Sequence, residues 1–324
     1  MQRLNDERGA VGVMVALLMV PLIGFAAISI DVAAMWAERQ QLQTGADAGA
    51  LALAQDCARG SCGDGVGAAQ ALAAANIDDG EATASVSSFG AGEVSVTTSG
   101  VREHIFAPVL GISSSTIVAE SSAGWGFPTG GSALLPLAIS WCEFQAQTGG
   151  GLPSGNAART ILLAEQPDPA ALPEDPEAVV VPAEATSCAG PSGEVPSGFG
   201  WLTTDSGCET TSSIAGGAAG SAGGSVSAGC SSTGFSELQG RTVLLPIFDS
   251  YAGTDGAGGY GVLGYAAFTL TGYHFAGRFQ WGSPCSGSDS CISGSFTRFA
   301  DLSDHFDYDG GAPQLGAAVV SLIR

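Results

Sequence analysis

Residues 7–54 read ERGAVGVMVALLMVPLIGFAAISIDVAAMWAERQQLQTGADAGALALA, and within them residues 10–30 are 21 consecutive residues without a charge. A helix of that length spans about 30 Å at about 1.5 Å per residue, which matches the hydrocarbon core of a bilayer. Arg8 and Asp31 mark its two ends. Pro21, near the middle, is better tolerated in membrane helices than in soluble ones. The sequence therefore predicts a transmembrane helix from Ala10 to Ile30.

Two other interpretations of this segment stay open. A cleaved signal peptide has an apolar core of about 7–15 residues before a small-x-small site. Val32-Ala33-Ala34 is such a site, although the core here is longer. A pilin-type leader would be cut after Gly9, but the position five residues further on holds Met14 instead of the glutamate of type IV pilins. An uncleaved anchor is therefore the preferred interpretation.

The placement of arginine predicts the orientation, because the chain contains no lysine. Arg3 and Arg8 lie in the few residues before the span, whereas the long remainder carries arginine only sparsely. Positively charged residues stay preferentially on the cytoplasmic side of a span. Residues 1–9 are therefore predicted to be cytoplasmic, and everything after Ile30 extracytoplasmic.

Several short motifs follow one another in this segment: an Arg8-Gly9-Ala10 start, an apolar span ending at Asp31, Ala37-Glu38-Arg39-Gln40-Gln41-Leu42-Gln43, and Ala46-Asp47-Ala48 with Ala50-Leu51-Ala52. Their order and spacing resemble the TadE/TadG-like Flp pilus-assembly proteins, of the TadG type with an N-terminal anchor. Weaker similarities follow at 106–111 and 198–202. The resemblance implies a single-pass bacterial cell-envelope protein of a tight-adherence pilus system, with a large exported domain.

The charge of the chain limits its partners. It carries 31 acidic and 10 basic residues, a formal net charge of −21. Such a surface repels nucleic acid phosphates and anionic lipid headgroups, so neither is an expected partner of the exported part. The acidity is expected mainly to keep an exported domain soluble. The partners that remain are the lipid bilayer around Ala10–Ile30 and pilus-assembly or other envelope proteins.

Beyond the span, the helix is expected to continue as a stalk from Val32 to about Gln55. Gly45 and Gly49, with alanines beside them, form a flat ridge of small residues. Glycine costs about 1 kcal/mol relative to alanine inside a helix, so a ridge of this kind suggests close approach of another backbone. Packing against the protein's own domain is the preferred use, and packing against a partner is the alternative.

The segment from 31 to 126 divides into two predicted parts. Residues 31–75 form the stalk and a second, alanine-rich helix from Gly67 to Ala75. Residues 76–126 form a small α/β layer: a hairpin around Gly90-Ala91-Gly92, a short helix at Arg102–Leu110 ended by Gly111, and a strand at Ser114–Ala123. This layer is expected to close against the stalk.

Residues 127–324 are predicted to be a β-rich, glycine-rich exported domain, which makes the whole chain α+β. Glycine-rich composition at Gly124–Gly131 suggests the boundary. Residues 165–182 suggest a surface loop and residues 214–234 a flexible linker. Strands are predicted at Ala133–Trp141, Thr242–Phe248, Tyr260–Leu270, Tyr273–Phe279 and Ala317–Ile323.

The eight cysteines predict disulfide bonds, because an exported chain with an even number of cysteines is normally oxidised. Eight cysteines permit 105 pairings, and the sequence does not choose among them. Their proximity along the chain and the composition of the loops favour Cys57–Cys62, Cys208–Cys230 and Cys285–Cys291, which leaves Cys142–Cys188 as the fourth pair.

Other candidate sites are weak. Asp301, Asp304, Asp307 and Asp309 cluster oxygen ligands that suit calcium, but without the spacing of a 12-residue calcium loop. A solvated acidic loop is the simpler interpretation. Gly256, Gly258 and Gly261 match a dinucleotide-binding pattern, yet a strand is predicted after them, which favours a hairpin turn. No catalytic or cofactor-binding residues are predicted, and the protein is not expected to be an enzyme.

The preferred function is therefore a membrane-anchored structural or assembly component of a Flp/Tad-type pilus or a related envelope secretion system. The alternatives are a minor pilin-like subunit incorporated in the fibre through its first helix, and an exported calcium-dependent adhesive module or enzyme that uses the acidic loop.

Overall fold

The computed structural model describes residues 8–63, 65–78, 80–90, 92–154, 157–163, 187–221, 225–252, 258–275, 277, 279–287, 289–300 and 305–323. The chain forms an N-terminal helix followed by a β-rich region, as the α+β prediction requires. It divides into two compact units. Unit 1 comprises the chain up to Asp56, Cys62–Gly124 and Ser321–Arg324, and unit 2 comprises Cys57–Ser61 and Trp125–Val320.

The first element, α1 (Arg8–Ala58), is one continuous helix of 51 residues that contains Pro21. The predicted span and stalk are therefore parts of a single helix. Within its second half, buried residues recur at intervals of three or four, which places them along one stripe of the helix. The stripe comprises Asp31, Glu38, Leu42, Gly45, Ala46, Gly49, Ala50, Leu53, Ala54 and Cys57.

Unit 1 builds a small layer against this stripe. Helix α2 (Gly65–Ala75) is followed by strands β1 (Thr83–Gly90), β2 (Glu93–Glu103) and β3 (Ser114–Ala133), of which β3 belongs to unit 1 as far as Gly124. β2 is the central strand and is antiparallel to both neighbours. The core between the helices and the sheet contains Leu42, Ala73, Ile77, Ala82, Ile117 and Ala119.

The predicted hairpin and second helix are confirmed, but the predicted helix at Arg102–Leu110 is wrong over most of its length. β2 continues to Glu103, and only Ala107–Leu110 forms a single 3-10 turn, which ends at Gly111 with a φ of 86°. The reason is the register with β3, in which Arg102 pairs with Ser115 and Glu103 with Ser114. These backbone pairs hold the first residues of the predicted helix in the sheet.

Unit 2 is built mainly from β-strands. Its elements after β3 are β4 (Leu137–Ser140), α3 (Trp141–Thr148), β5 (Arg159–Leu162), β6 (Ser187–Gly190), β7 (Gly193–Pro196), β8 (Phe199–Trp201), β9 (Thr210–Ser213), β10 (Ala218–Ala219), α4 (Ser232–Glu237), β11 (Thr242–Ala252), β12 (Gly259–His274), β13 (Gln280–Trp281), β14 (Cys291–Thr297), β15 (Phe299–Ala300), β16 (Phe306–Asp309) and β17 (Ala317–Ile323).

One sheet of unit 2 has eight strands, in the order β5-β14-β12-β11-β4-β8, with β10 and β13 also pairing with β12. β9 and β16 pair instead with the part of β3 that follows Gly124, and β15 runs parallel to β17. The main core lies on the larger sheet and is rich in aromatic rings. Trp201 and Phe275, for example, meet edge to face with ring centroids 4.9 Å apart.

Three of the predicted elements of unit 2 need correction. Only Leu137–Ser140 of the strand predicted at Ala133–Trp141 is a separate strand. The strand predicted at Tyr260–Leu270 lies within β12, which continues to His274 because its pairing with β14 resumes after an irregularity between Leu270 and Gly272. Of the strand predicted at Tyr273–Phe279, only Tyr273 and His274 belong to β12.

The described part of residues 214–234 is not a flexible linker. Ala218 and Ser227 are buried there, and the Ser227 hydroxyl donates to the carbonyl of Leu202 at 2.6 Å. The small side chains in this segment let it pack closely against its neighbours, and they do not make it flexible. The surface loop predicted at residues 165–182 lies outside the described residues.

Candidate functional site

The large apolar side chains of α1 from Val11 to Ile30 are exposed. Every Val, Leu, Ile, Met and Phe side chain from Val11 to Ile30 is between 47% and 74% exposed. Burying such side chains is worth about 1.5–3 kcal/mol each, so the set would forgo roughly 20 kcal/mol or more if it stayed in water. This exceeds the usual stability of a whole domain, about 5–15 kcal/mol. The surface is suited to a lipid environment.

The helix is also long and apolar enough to cross a membrane. Its most apolar 18-residue window has a mean hydropathy of 2.6 and no buried residue. Among the described residues it is the one helix that meets these conditions. The single-pass anchor predicted from residues 10–30 therefore agrees with the structure in length, composition and exposure.

Asp31 is the first buried side chain after the apolar stretch. Its carboxylate accepts three consecutive backbone N–H groups: Oδ1 from Ile105 at 2.9 Å, and Oδ2 from Phe106 at 2.9 Å and Ala107 at 2.7 Å. Desolvation raises the pKa of Asp31, but these three hydrogen bonds and the nearby His104 together outweigh it and lower the pKa below its ordinary value. Asp31 thus ties α1 to the 3-10 turn as a charged group.

Two turns further along α1, Glu38 is buried next to Arg102 of β2. Its Oε2 lies 3.6 Å from a guanidinium nitrogen of Arg102, and its Oε1 has no hydrogen-bond partner among the described residues. A cleft of about 140 Å³ lies beside it, lined also by Glu81 and by the hydroxyls of Thr83, Ser99 and Thr116. Ile77 and Val101 line the cleft as well, so its walls are partly apolar.

The ridge of small residues lies against α2 of the same unit. A Cβ placed on Gly45 would be 3.0 Å from the Cα of Ala73, and one placed on Gly49 would be 3.5 Å from the Cα of Ala69. The two helix backbones are therefore so close at Gly45 that a larger side chain would be in tight contact with the backbone of α2. This confirms the preferred prediction that the ridge packs against the protein's own domain.

The cysteines of the chain are all oxidised. The structure contains Cys142–Cys188, Cys208–Cys230 and Cys285–Cys291, with Cα–Cα distances of 5.7, 4.3 and 6.4 Å. Cys57 and Cys62 are also disulfide-bonded. The three pairs in unit 2 are the predicted ones.

The acidic loop gives little support for a calcium site. Asp301 and Asp304 lie outside the described residues. Asp307 and Asp309 are exposed on one face of β16, and Asp309 Oδ1 already accepts the N–H of Gly311 at 2.7 Å. Over the described ranges, no group of three or more His, Cys, Asp or Glu side chains is arranged to hold a metal ion.

The glycine pattern at 256–261 falls where β11 and β12, an antiparallel pair, are connected along the chain. Gly256 lies outside the described residues, and Gly261 belongs to β12. A dinucleotide site would require a helix after the glycines, whereas a strand follows here. This arrangement agrees with the predicted hairpin turn.

Comparison with known protein families gives one match, over residues 9–56, to the putative Flp pilus-assembly TadE/G-like family. The segment is similar to that family over these residues. It coincides with α1 almost from end to end, so the similarity covers both the exposed apolar half and the half that packs in unit 1. A comparison with curated proteins gave no match, and a comparison with solved structures gave none either. The TadE/G-like segment supports a role associated with Flp pilus assembly.

Two features of this region were missed at the level of the sequence. One is the capping role of Asp31, for which the only signal is an isolated acidic residue directly after an apolar run. The other is the exposed apolar turn at Ile105–Ile112. Its signal in the sequence is that no charged residue occurs from 105 to 119. The predicted short helix and strand in this region do not use that signal.

Proposed function

We propose that this protein is a membrane-anchored assembly component of a Flp-type pilus, with residues 1–9 in the cytoplasm and the rest of the chain after Ile30 outside the membrane. The proposal rests on the TadE/G-like segment and on the arginines Arg3 and Arg8 before the span. The protein acts by contact with pilus or envelope proteins, and not by catalysis.

The observation that carries the proposal is the change of environment within α1. Up to Ile30 the helix exposes apolar side chains on all sides, and from Asp31 onward it buries one stripe in unit 1. A helix that is apolar all round suits a membrane, whereas a one-sided stripe suits a folded domain in water. The anchor and the exported domain are therefore joined without a flexible linker, so unit 1 is held next to the membrane surface.

A deletion strain tests the role. Loss of surface pili and of attachment, with normal growth, is expected, and full-length protein should restore both. Normal piliation in the deletion strain would refute the assembly role. Restoration by a variant with Asp307 and Asp309 both replaced by asparagine would agree with function by contact, and failure of that variant would favour the calcium-dependent module.

Replacement of the span separates the anchor from the minor pilin. An unrelated transmembrane helix in place of residues 10–30 should still restore piliation if the span only anchors the protein. It should fail if the same helix has to pack in a fibre, and the N-terminus of such a subunit would begin at Ala10. Ala46→Pro leaves the span intact and is expected to abolish function, because it breaks the buried half of α1.

A further inference from the structure

The turn between β2 and β3 exposes an apolar surface, which we call the apolar turn (Ile105–Ile112). Val109 is 90% exposed and Leu110 is 69% exposed, and Ile105, Phe106 and Ile112 are exposed beside them. No charged residue occurs between 105 and 119. An exposed apolar cluster of this kind marks a contact surface, since water does not stabilise it.

The apolar turn is held at a defined height on α1. The three hydrogen bonds to Asp31 fix its first residues beside the position directly after the predicted span. The hydrocarbon core is about 30 Å thick and the whole bilayer about 40–45 Å, so the headgroup layer extends roughly 5–7 Å beyond the core on each side. Asp31 falls within that layer if residues 10–30 fill the core.

The direction of β2 shows that the apolar turn is at the membrane end of unit 1. Val96 lies 3.4 Å from the place of a Cβ on Gly49, while Ile105 is bonded to Asp31. Intermediate contacts follow the same order: Thr98 Oγ1 donates to the carbonyl of Leu42, and Arg102 pairs with Glu38. β2 therefore runs along α1 toward the span.

The lengths agree with this geometry. From Gly49 back to Asp31 the helix covers about 27 Å, and from Val96 to Ile105 an extended strand covers about 30 Å. The residues after Ala107 form the 3-10 turn and the loop that lead to β3, which begins at Ser114 opposite Glu103. Val109 and Leu110 thus lie in the loop that closes the β2–β3 hairpin, at the end of the hairpin that faces the span.

The backbone of the apolar turn suits a low-polarity environment, because few of its N–H groups lack a hydrogen-bond partner within the protein. Pro108 has no N–H, and most of the other N–H groups are bonded within the protein: those of His104, Ile105, Phe106, Ala107, Val109, Gly111 and Ile112. In water, the N–H groups of an exposed loop can form hydrogen bonds with the solvent. Near hydrocarbon no such partner is present, so an unpaired backbone group costs free energy.

We propose that the apolar turn inserts its Val109–Leu110 tip into the interface of the same bilayer that holds residues 10–30, as a second lipid contact. This rests on the proposed anchoring of the span. Trp36, which is exposed on α1 just beyond Asp31, is of the residue type enriched at such interfaces. The net charge of −21 does not oppose this contact, because the apolar turn itself carries no charge.

The experiment uses full-length protein with its native disulfides, reconstituted in phosphatidylcholine vesicles. One added cysteine at a time carries an environment-sensitive fluorophore: Val109→Cys or Leu110→Cys in the apolar turn, Leu18→Cys in the span, and Glu93→Cys as the control. Glu93 is exposed at the other end of β2, about 33 Å from Glu103. Lipids with nitroxides at the headgroup or deep in the acyl chain act as quenchers.

The proposal expects probes at Val109 and Leu110 to emit at shorter wavelength than the probe at Glu93, and to be quenched several-fold more by the shallow nitroxide. The probe at Leu18 should be quenched most by the deep nitroxide. Quenching at Leu18 without quenching at Val109 and Leu110 would overturn this inference and leave the anchor standing. No quenching at Leu18 would overturn the anchor itself, and the inference with it.

Discussion

The two halves of α1 have the same backbone and opposite surroundings. Residues 11–30 expose large apolar side chains on every side, whereas residues 31–58 bury a stripe of small residues together with Asp31 and Glu38. Gly24 and Gly45 show the difference at single positions: a Cβ on Gly24 would meet nothing within 4 Å, and one on Gly45 would be 3.0 Å from the Cα of Ala73. A single continuous helix can therefore suit a lipid environment in one half and a folded domain in the other. The side chains differ between the halves, whereas the backbone hydrogen bonds of the helix are the same.

The largest effect is expected when charged residues are placed in the first half of α1, residues 11–30. Leu18→Asp combined with Ile23→Asp should release the protein from membranes, because each charge near the centre of a span costs about 2.5–3.5 kcal/mol on insertion scales. Extraction of membranes with alkaline carbonate measures whether the variant is released. Gln55→Asp, at an exposed position in the second half, is the control and should stay in the membrane pellet. Retention of the doubly charged variant in that pellet would contradict the assignment of residues 10–30 to the membrane.

The next effect comes from enlarging the glycines. Gly45→Leu should destabilise unit 1 by about 1–3 kcal/mol, since a side chain there overlaps the backbone of α2. Gly24→Leu adds the same atoms to the exposed half and should leave unit 1 unchanged. Thermal unfolding in detergent, followed by circular dichroism, measures both. Equal stability of the two variants would show that the close helix contact at Gly45 is absent in solution.

A smaller effect, which depends on pH, is expected at Asp31. Its pKa is lowered in the folded protein, so its contribution to stability is fully present above the ordinary carboxyl value and is lost as the pH falls through the lowered pKa. Asp31→Asn should therefore lower the unfolding midpoint of unit 1 at neutral pH, and the difference from the unchanged protein should vanish in strong acid.

Asp47→Asn is the matched control for this prediction. Asp47 accepts one side-chain hydrogen bond, from Gln43 at 2.9 Å, and no backbone N–H is bonded to it among the described contacts. Its replacement should change the midpoint little. A difference between Asp31→Asn and the unchanged protein that stays constant down to the lowest pH would show that the charge of Asp31 is not what stabilises the turn.

The smallest effect is expected at Glu143 in unit 2, with the opposite sign. Desolvation raises the pKa of Glu143. The hydrogen bond from the N–H of Gly198 and the charge of Arg159 lower this pKa, but desolvation outweighs both. Because the folded state holds this proton more tightly, stability is lost as the pH rises through the raised pKa. Glu143→Gln should thus stabilise unit 2 slightly near neutral pH, by less than about 1 kcal/mol. Unfolding midpoints at acid and neutral pH test this, and a variant less stable at neutral pH would reverse the sign.

The sequence by itself determined the elements whose signal is local. An uncharged stretch of 21 residues predicts the exposed helix without any partner, because its length and composition alone suit a bilayer. Alternation around Gly90 and Gly92 predicts the first hairpin in the same way. The ridge at Gly45 and Gly49 also predicted close packing, since glycine inside a helix is costly unless something approaches it.

The tertiary structure alone decided what depends on residues far apart in the chain. The role of Asp31 requires N–H groups more than 70 residues away, and the strand state of Arg102 and Glu103 is set by their register with β3. The small residues at Ala218 and Ser227 resemble a linker until their burial is known. Local composition cannot distinguish a flexible segment from a closely packed one, because both favour small side chains, and only the neighbours in space differ.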